Sequence, residues 1–177
     1  MNARLIRPLA ALTAAASLAG GAAYAAPAAT QAVPALTSSE VAALTYMREE
    51  EKLARDVYTA LAAKWNVPVF RNIARSEQTH MAAVKVLLDR YGIADPAAGR
   101  AAGSFANATL QALYDRLVKD GSASLAAAAA VGVQIEKLDI ADLATRLSQT
   151  AHADVKLVFT RLSQASQSHL RAFQRFA

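Results

Sequence analysis

The sequence predicts an all-α fold, a four-helix bundle with a short extra helix in the connection between its two helical hairpins. Three observations carry that expectation. Apolar residues recur at spacings of three and four over four long segments, the period of a one-sided helix. Helix-opening and helix-ending residues stand at the segment borders. No stretch alternates with period two over a convincing length, which argues against a sheet.

The N-terminal part reads as a leader. Arg4 and Arg7 form a positive n-region, Leu9 to Ala19 an apolar stretch too short to span a bilayer, and Ala23-Tyr24-Ala25 a small-x-small cleavage site. The expected organisation is a secretory signal peptide over 1–25, a flexible Ala/Pro-rich lead-in over 26–36 and one helical domain over 37–177. Arg4 and Arg7 are not adjacent, so the twin-arginine export signal is missing. The expected location is therefore the periplasm or outside the cell, reached unfolded, with any metal acquired afterwards.

The domain opens at Thr37-Ser-Ser-Glu40, a capping box in which each end satisfies an orphan amide of the other. The first helix is expected to run to about Trp65, with the stripe Leu44, Met47, Glu51, Ala54, Tyr58, Leu61 and Trp65. Pro68 suits the first position of a second helix. That helix runs to Tyr91, with Phe70, Ile73, Glu77, His80, Val84 and Leu87 inward. The span from Asp95 to Ser104, with one proline and two glycines, is the longest irregular stretch and reads as the crossover between hairpins. A short helix follows over about Asn107 to Lys119. Ser122 or Ser124 caps the next, which presents Leu125, Ala129, Gly132, Glu136, Asp139, Leu143 and Leu147 and continues to about Gln149. The last helix spans about Ala153 to Phe176, with Val155, Phe159, Leu162, Ser166, His169, Phe173 and Phe176 on its stripe.

The formal charge is +5, and removal of Arg4 and Arg7 with the leader leaves 17 basic and 14 acidic residues, a charge of +3. Basic and acidic residues are interspersed, which gives no nucleic-acid footprint. There is no cysteine, so disulfides, a lipid-anchored cysteine and thiolate metal sites are all excluded. Expected partners therefore include no nucleic acid and no membrane anchor after leader cleavage. Self-association into a homo-oligomer and an unidentified redox partner stay open.

The polar interruptions of the apolar stripes carry the chemistry. Each long helix places one or more on its inner face, and counting from the hairpin turns at about 1.5 Å per residue puts them nearly level. Glu77 and His80, three residues apart, project from one side of a helix. Buried carboxylates are costly without a partner. Three such carboxylates and two histidines at one depth therefore point to a bound cation, with Glu51, Glu77, His80, Glu136 and His169 as its ligands. Glu49 and Glu50 read as solvated, and Glu51 taken alone could pair with Arg55 one turn on. Tyr58 reads as a core aromatic or as a donor to a carboxylate. His152 reads as structural. Neither a hydrolytic triad nor a phosphate-binding glycine loop is present.

Glu51-Lys-Leu-Ala-Arg-Asp-Val-Tyr58 with Glu77-Gln-Thr-His80 resembles the first half-site of rubrerythrin-type ferritin-like proteins. The chain from about Leu44 to Phe173 is more closely similar to an uncharacterised bacterial ferritin-like family, domain of unknown function 2202. Glu49-Glu-Glu-Lys-Leu-Ala-Arg-Asp56, Asn72-Ile-Ala-Arg-Ser-Glu-Gln-Thr-His-Met81, Ile135-Glu-Lys-Leu-Asp-Ile140 and Ser168-His-Leu-Arg-Ala-Phe173 carry the likeness. It implies a ferritin-like bundle and lends no settled activity. Di-iron carboxylate bundles use one glutamate from each of two helices and Glu-x-x-His from each of the other two. This chain departs from that pattern at Ser166-Gln-Ser-His169, where the second Glu-x-x-His would begin. Three glutamates leave two divalent ions short of charge, which hydroxide, a substrate anion or Asp139 would make up; otherwise the site holds one metal, with Ser166 nearby. Iron is the first expectation and manganese or zinc the alternatives, with oxygen- or peroxide-linked redox work if iron binds. No catalytic residue is assigned, and enzyme status stays open. The rival functions are a metal-free helical interaction or small-ligand-binding module on the same scaffold, and passive metal storage.

Overall fold

The computed structural model describes residues 34–176. The leader expected over 1–25, and all but the end of the lead-in over 26–36, lie outside the described residues. Those residues form five helices and no strand: α1 (Ser38–Trp65), α2 (Pro68–Arg90), α3 (Ala108–Gly121), α4 (Leu125–Gln149) and α5 (Ala153–Phe176). None of these helices is long and apolar enough to cross a membrane.

Local chemistry sets the helix borders. Thr37 N–H donates to Glu40 Oε2 at 2.9 Å, and Glu40 N–H donates to Thr37 Oγ1 at 3.2 Å, the reciprocal bonds of a capping box. Glu40 also reaches across the molecule. Its Oε1 accepts from the Thr150 hydroxyl at 2.6 Å and from Ala151 N–H at 3.0 Å, and it lies 2.7 Å from His152 Nδ1. This fixes the α4–α5 turn against the start of α1. At the other end of α1, Asn66 adopts the left-handed conformation (φ 52°), and Pro68 opens α2 directly. Ser124 caps α4 by accepting from Ala127 N–H at 3.0 Å.

α1 packs on α2 and α4 on α5; α1 also meets α4, and α2 meets α5, so the four long helices close on one another. α3 lies against α1 and α4. The apolar core falls into two clusters. One gathers Leu53, Val57, Tyr58, Leu61, Phe70 and Phe173. The other gathers Leu44, Met47, Val84, Leu87, Phe159 and Leu162. On each long helix the polar inner residues fall in sequence between the members of the two clusters. The core is therefore split by a polar layer at one level.

α1 departs from a simple one-sided helix. Every residue from Met47 to Ala54 is buried, because the crossover connection and α3 cover the face turned away from the core. Arg48 makes a two-pronged pair with Asp95 (2.9 and 3.0 Å) and donates to Met81 O. Lys52 Nζ bonds Asp56 Oδ2 at 2.6 Å and Ala101 O at 2.8 Å, and Asp56 Oδ2 accepts from Gly103 N–H. Glu49 accepts from Ala106 and Asn107 N–H at the start of α3, where the helix dipole favours an anion.

The expectation that Glu49 and Glu50 are solvated is thus corrected: they are 2% and 5% exposed. Arg55 pairs with Asp56 and Gln78 rather than with Glu51. On α4 the inward face begins at Ala128 and Ala129, and Leu125, expected inside, is exposed. Gly132 admits the Phe173 ring: a Cβ there would lie 2.5 Å from Phe173 Cδ1. Phe176 sits at the exposed end of α5.

Candidate metal centre

Glu51 of α1, Glu77 and His80 of α2, Glu136 of α4 and His169 of α5 meet in the polar layer. His80 Nδ1 lies 3.1 Å from Glu51 Oε2 and 2.7 Å from Glu77 Oε2. His169 Nδ1 lies 2.9 Å from Glu77 Oε1 and 3.6 Å from Glu136 Oε2. The two imidazoles stack with centroids 5.6 Å apart. Ligand atoms therefore converge in two groups, Glu51–Glu77–His80 and Glu77–Glu136–His169, each within 4.8 Å, and Glu77 belongs to both. Ligands bound at roughly 2.0–2.2 Å from one ion sit up to about 4.4 Å apart, so either group needs only small side-chain adjustments to enclose a cation.

The hydrogen-bond inventory of this layer is incomplete. Glu51 Oε1, Glu77 Oε1, Asp139 Oδ1, Glu50 Oε2 and His169 Nδ1 are buried without a hydrogen-bond partner. The close approach of His169 Nδ1 to Glu77 Oε1 is a contact without hydrogen-bond alignment. Buried unpaired polar atoms are rare in folded proteins and call for an explanation. Atoms that crowd together without bonding one another could hold a metal ion.

Electrostatics agree. Burial, with the charges of Asp139 and Glu77, pushes the Glu51 carboxyl well above the ordinary range. Burial pushes up Glu136 as well, with the charge of Glu77 adding to it against the His169 contact. Asp139 is raised by burial and by Glu77 and Glu136, despite its bond from Ser166. At Glu77 burial is outweighed by His169 and His80, which hold the carboxylate low. At His169 burial disfavours the imidazolium, but Glu136 and Glu77 overcome it and push the group up to about 10. Without a cation the layer must hold protons to limit its charge.

Sequence reasoning left out one neighbour, weighed the role of a second and misplaced a third. Ser76 Oγ lies 3.0 Å from His169 Nε2, which orients the ring with Nδ1 toward the carboxylates. Ser76 lies off the apolar stripe, so periodicity gave no sign of it. Tyr58, fully buried, donates its hydroxyl to Glu136 Oε1 at 2.7 Å, the donor role weighed for it. Burial and the charges of Glu136 and Glu77 raise its phenol well above the ordinary value, so it remains a donor. Glu50, expected in solvent, adds a further buried carboxyl, raised by burial and by Asp139 and Asp142.

The domain family described as uncharacterized protein domain DUF2202 matches residues 40–177. The chain is 48% identical over 140 residues to the uncharacterized protein MJ0754 of Methanocaldococcus jannaschii, an alignment covering 79% of this chain and 76% of that protein. The crystal structure of the hypothetical protein MJ0754 from Methanococcus jannaschii DSM 2661 superposes with a TM-score of 0.79 at 47% identity, over 81% of this chain and 82% of that one. A DUF305 fragment from Deinococcus radiodurans superposes with a TM-score of 0.62 over 80% of this chain and 96% of that one. Its 15% identity makes this a likeness of fold alone.

Proposed function

We propose that this chain, which belongs to the DUF2202 family of uncharacterized domains, is an exported ferritin-like four-helix protein with a carboxylate–histidine metal centre. One observation carries the reading: two groups of buried ligand atoms share Glu77, while Glu51 Oε1, Glu77 Oε1 and His169 Nδ1 have no hydrogen-bond partner. Glu51, Glu77, His80, Glu136 and His169 are the residues that would hold the cation. A donor set of carboxylates and imidazoles without sulfur suits iron, manganese or zinc, and the resemblance to di-iron carboxylate bundles puts iron first. Bound iron would supply oxygen- or peroxide-linked redox chemistry.

The surrounding residues prepare the centre. Ser76 sets the His169 ring, Tyr58 holds one oxygen of Glu136, and the apolar clusters on either side limit access of water. A metal-free interaction module would leave the same buried atoms unpaired, at roughly 1–3 kcal/mol each. The export reading is supported by Arg4, Arg7, the apolar stretch and Ala23-Tyr24-Ala25. N-terminal sequencing of protein recovered from the periplasm or medium tests it, and a chain starting at Met1 there would contradict it.

The metal reading is tested by elemental analysis of folded protein reconstituted with iron, manganese or zinc, beside Glu77→Ala/His80→Ala. The expected result is at least about one tightly held equivalent in the parent and next to none in the variant. Equal, substoichiometric metal in both would end the proposal.

A further inference from the structure

Glu51, Glu77 and Glu136 carry at most three negative charges, one fewer than two divalent cations require. The residue three before His169 is Ser166, which offers a hydroxyl and no carboxylate. Ser166 is itself 1% exposed, and its hydroxyl donates to Asp139 Oδ2 at 2.5 Å. Asp139 follows Glu136 by three residues, so both project from one side of α4. Asp139 is 6% exposed and its Oδ1 has no hydrogen-bond partner. Among the described residues no lysine or arginine forms an ion pair with it. A buried carboxylate with one oxygen satisfied by a serine and the other by nothing is costly to keep ionised unless a cation compensates it.

We propose that Asp139 replaces the carboxylate absent from position 166 and is the fourth negative group of a centre that holds two divalent cations, with Glu77 common to both. The inference rests on the metal reading above. Asp139 lies outside the two groups of converging atoms, and its part is to complete the charge from α4, where α5 offers only a hydroxyl. Glu51 and His80 then serve one cation and Glu136 and His169 the other. Asp139 compensates the excess charge of the pair, and Ser166 fixes its orientation.

The test is metal stoichiometry. Metal-free protein is titrated with Zn(II), and bound metal is counted after gel filtration, for the parent, Asp139→Asn and Asp142→Asn. The asparagine is isosteric and can keep the contact with Ser166, and circular dichroism checks the fold. Asp142, half-buried one turn further along α4, controls for a general loss of negative charge. The expected result is about two equivalents for the parent and for Asp142→Asn, and about one for Asp139→Asn. Two equivalents in Asp139→Asn, one in the parent, or an equal loss in Asp142→Asn would overturn the role of Asp139 while leaving a metal centre standing. No metal in the parent would overturn both.

Discussion

The two faces of α1 between Arg48 and Asp56 carry similar residues at similar burial and differ in one respect. On the outer face Arg48, Glu49, Lys52 and Asp56 are all paired, with the crossover connection, with the first amides of α3 or with one another. On the inner face Glu50 and Glu51 each keep a buried oxygen with no partner, and the same holds for Glu77, Asp139 and His169 around them. Burial of charge therefore does not distinguish a functional site from a structural clamp here. Completeness of pairing does. The outer face is finished by the protein's own groups, and the inner face keeps buried ligand atoms that could hold a cation.

Breaking the outer face should produce the largest effect. Lys52→Met removes one member of a buried pair and leaves Asp56 undercompensated, a change that costs about 3–5 kcal/mol. Urea unfolding should show that loss in metal-free protein, with unchanged metal per folded molecule. The inner face should respond in the opposite way. Glu51→Gln removes a buried carboxyl with an unpartnered oxygen while keeping a polar partner for His80, so metal-free protein should be as stable as the parent or more so. What it loses is the rise on metal addition, about 2.7 kcal/mol at a hundredfold excess over Kd, or roughly 5–10 °C in Tm.

Gly132→Ala sharpens the comparison by disturbing packing without charge. Its Cβ would strike the Phe173 ring, which packs on Tyr58 with centroids 5.1 Å apart, and a cost of about 1–3 kcal/mol is expected in thermal unfolding. Tyr58→Phe should cost less, about 1 kcal/mol, and should lower metal affinity on the order of tenfold by releasing Glu136.

The faces also differ in pH response. Glu50, Glu51 and Asp139 are raised by burial and by neighbouring carboxylates, Asp139 to about 8. The folded chain keeps protons on them that the unfolded chain loses. Their contribution is full below the ordinary carboxyl range near pH 4 and is lost as pH rises through the folded values. Glu40 has the opposite sign. Burial acts to raise it, but bonds from Thr150, His152 and Thr37 hold it far below the ordinary range. Its contribution is full above about pH 4 and is lost as pH falls. Urea midpoints of metal-free protein should peak near about pH 5 and decline toward pH 8, and saturating metal should remove the alkaline decline.

Much of this was legible in the sequence. The helix borders agree to within one or two residues because Thr37, Pro68 and Ser124 act locally. The residues expected to converge do so because the stripe encodes direction and the hairpin turns encode depth. What escaped depends on contacts between distant segments. Glu49 is buried under the connection that leads into α3, and Glu50 lies against Asp139 and Asp142 of α4, which no local period reveals. Ser76 takes its meaning from His169 on another helix. Leu125 fits the α4 period but lies on its exposed first turn.

The central claim is that the unpaired inner atoms are cation ligands, and anomalous diffraction from crystals loaded with iron, manganese or zinc tests it most directly. The account predicts a peak roughly 2.0–2.2 Å from an oxygen of Glu77 and from Nδ1 of His80 or His169. A fully loaded crystal whose peaks lie only on the outer surface, with the Glu77 layer unchanged, would contradict it.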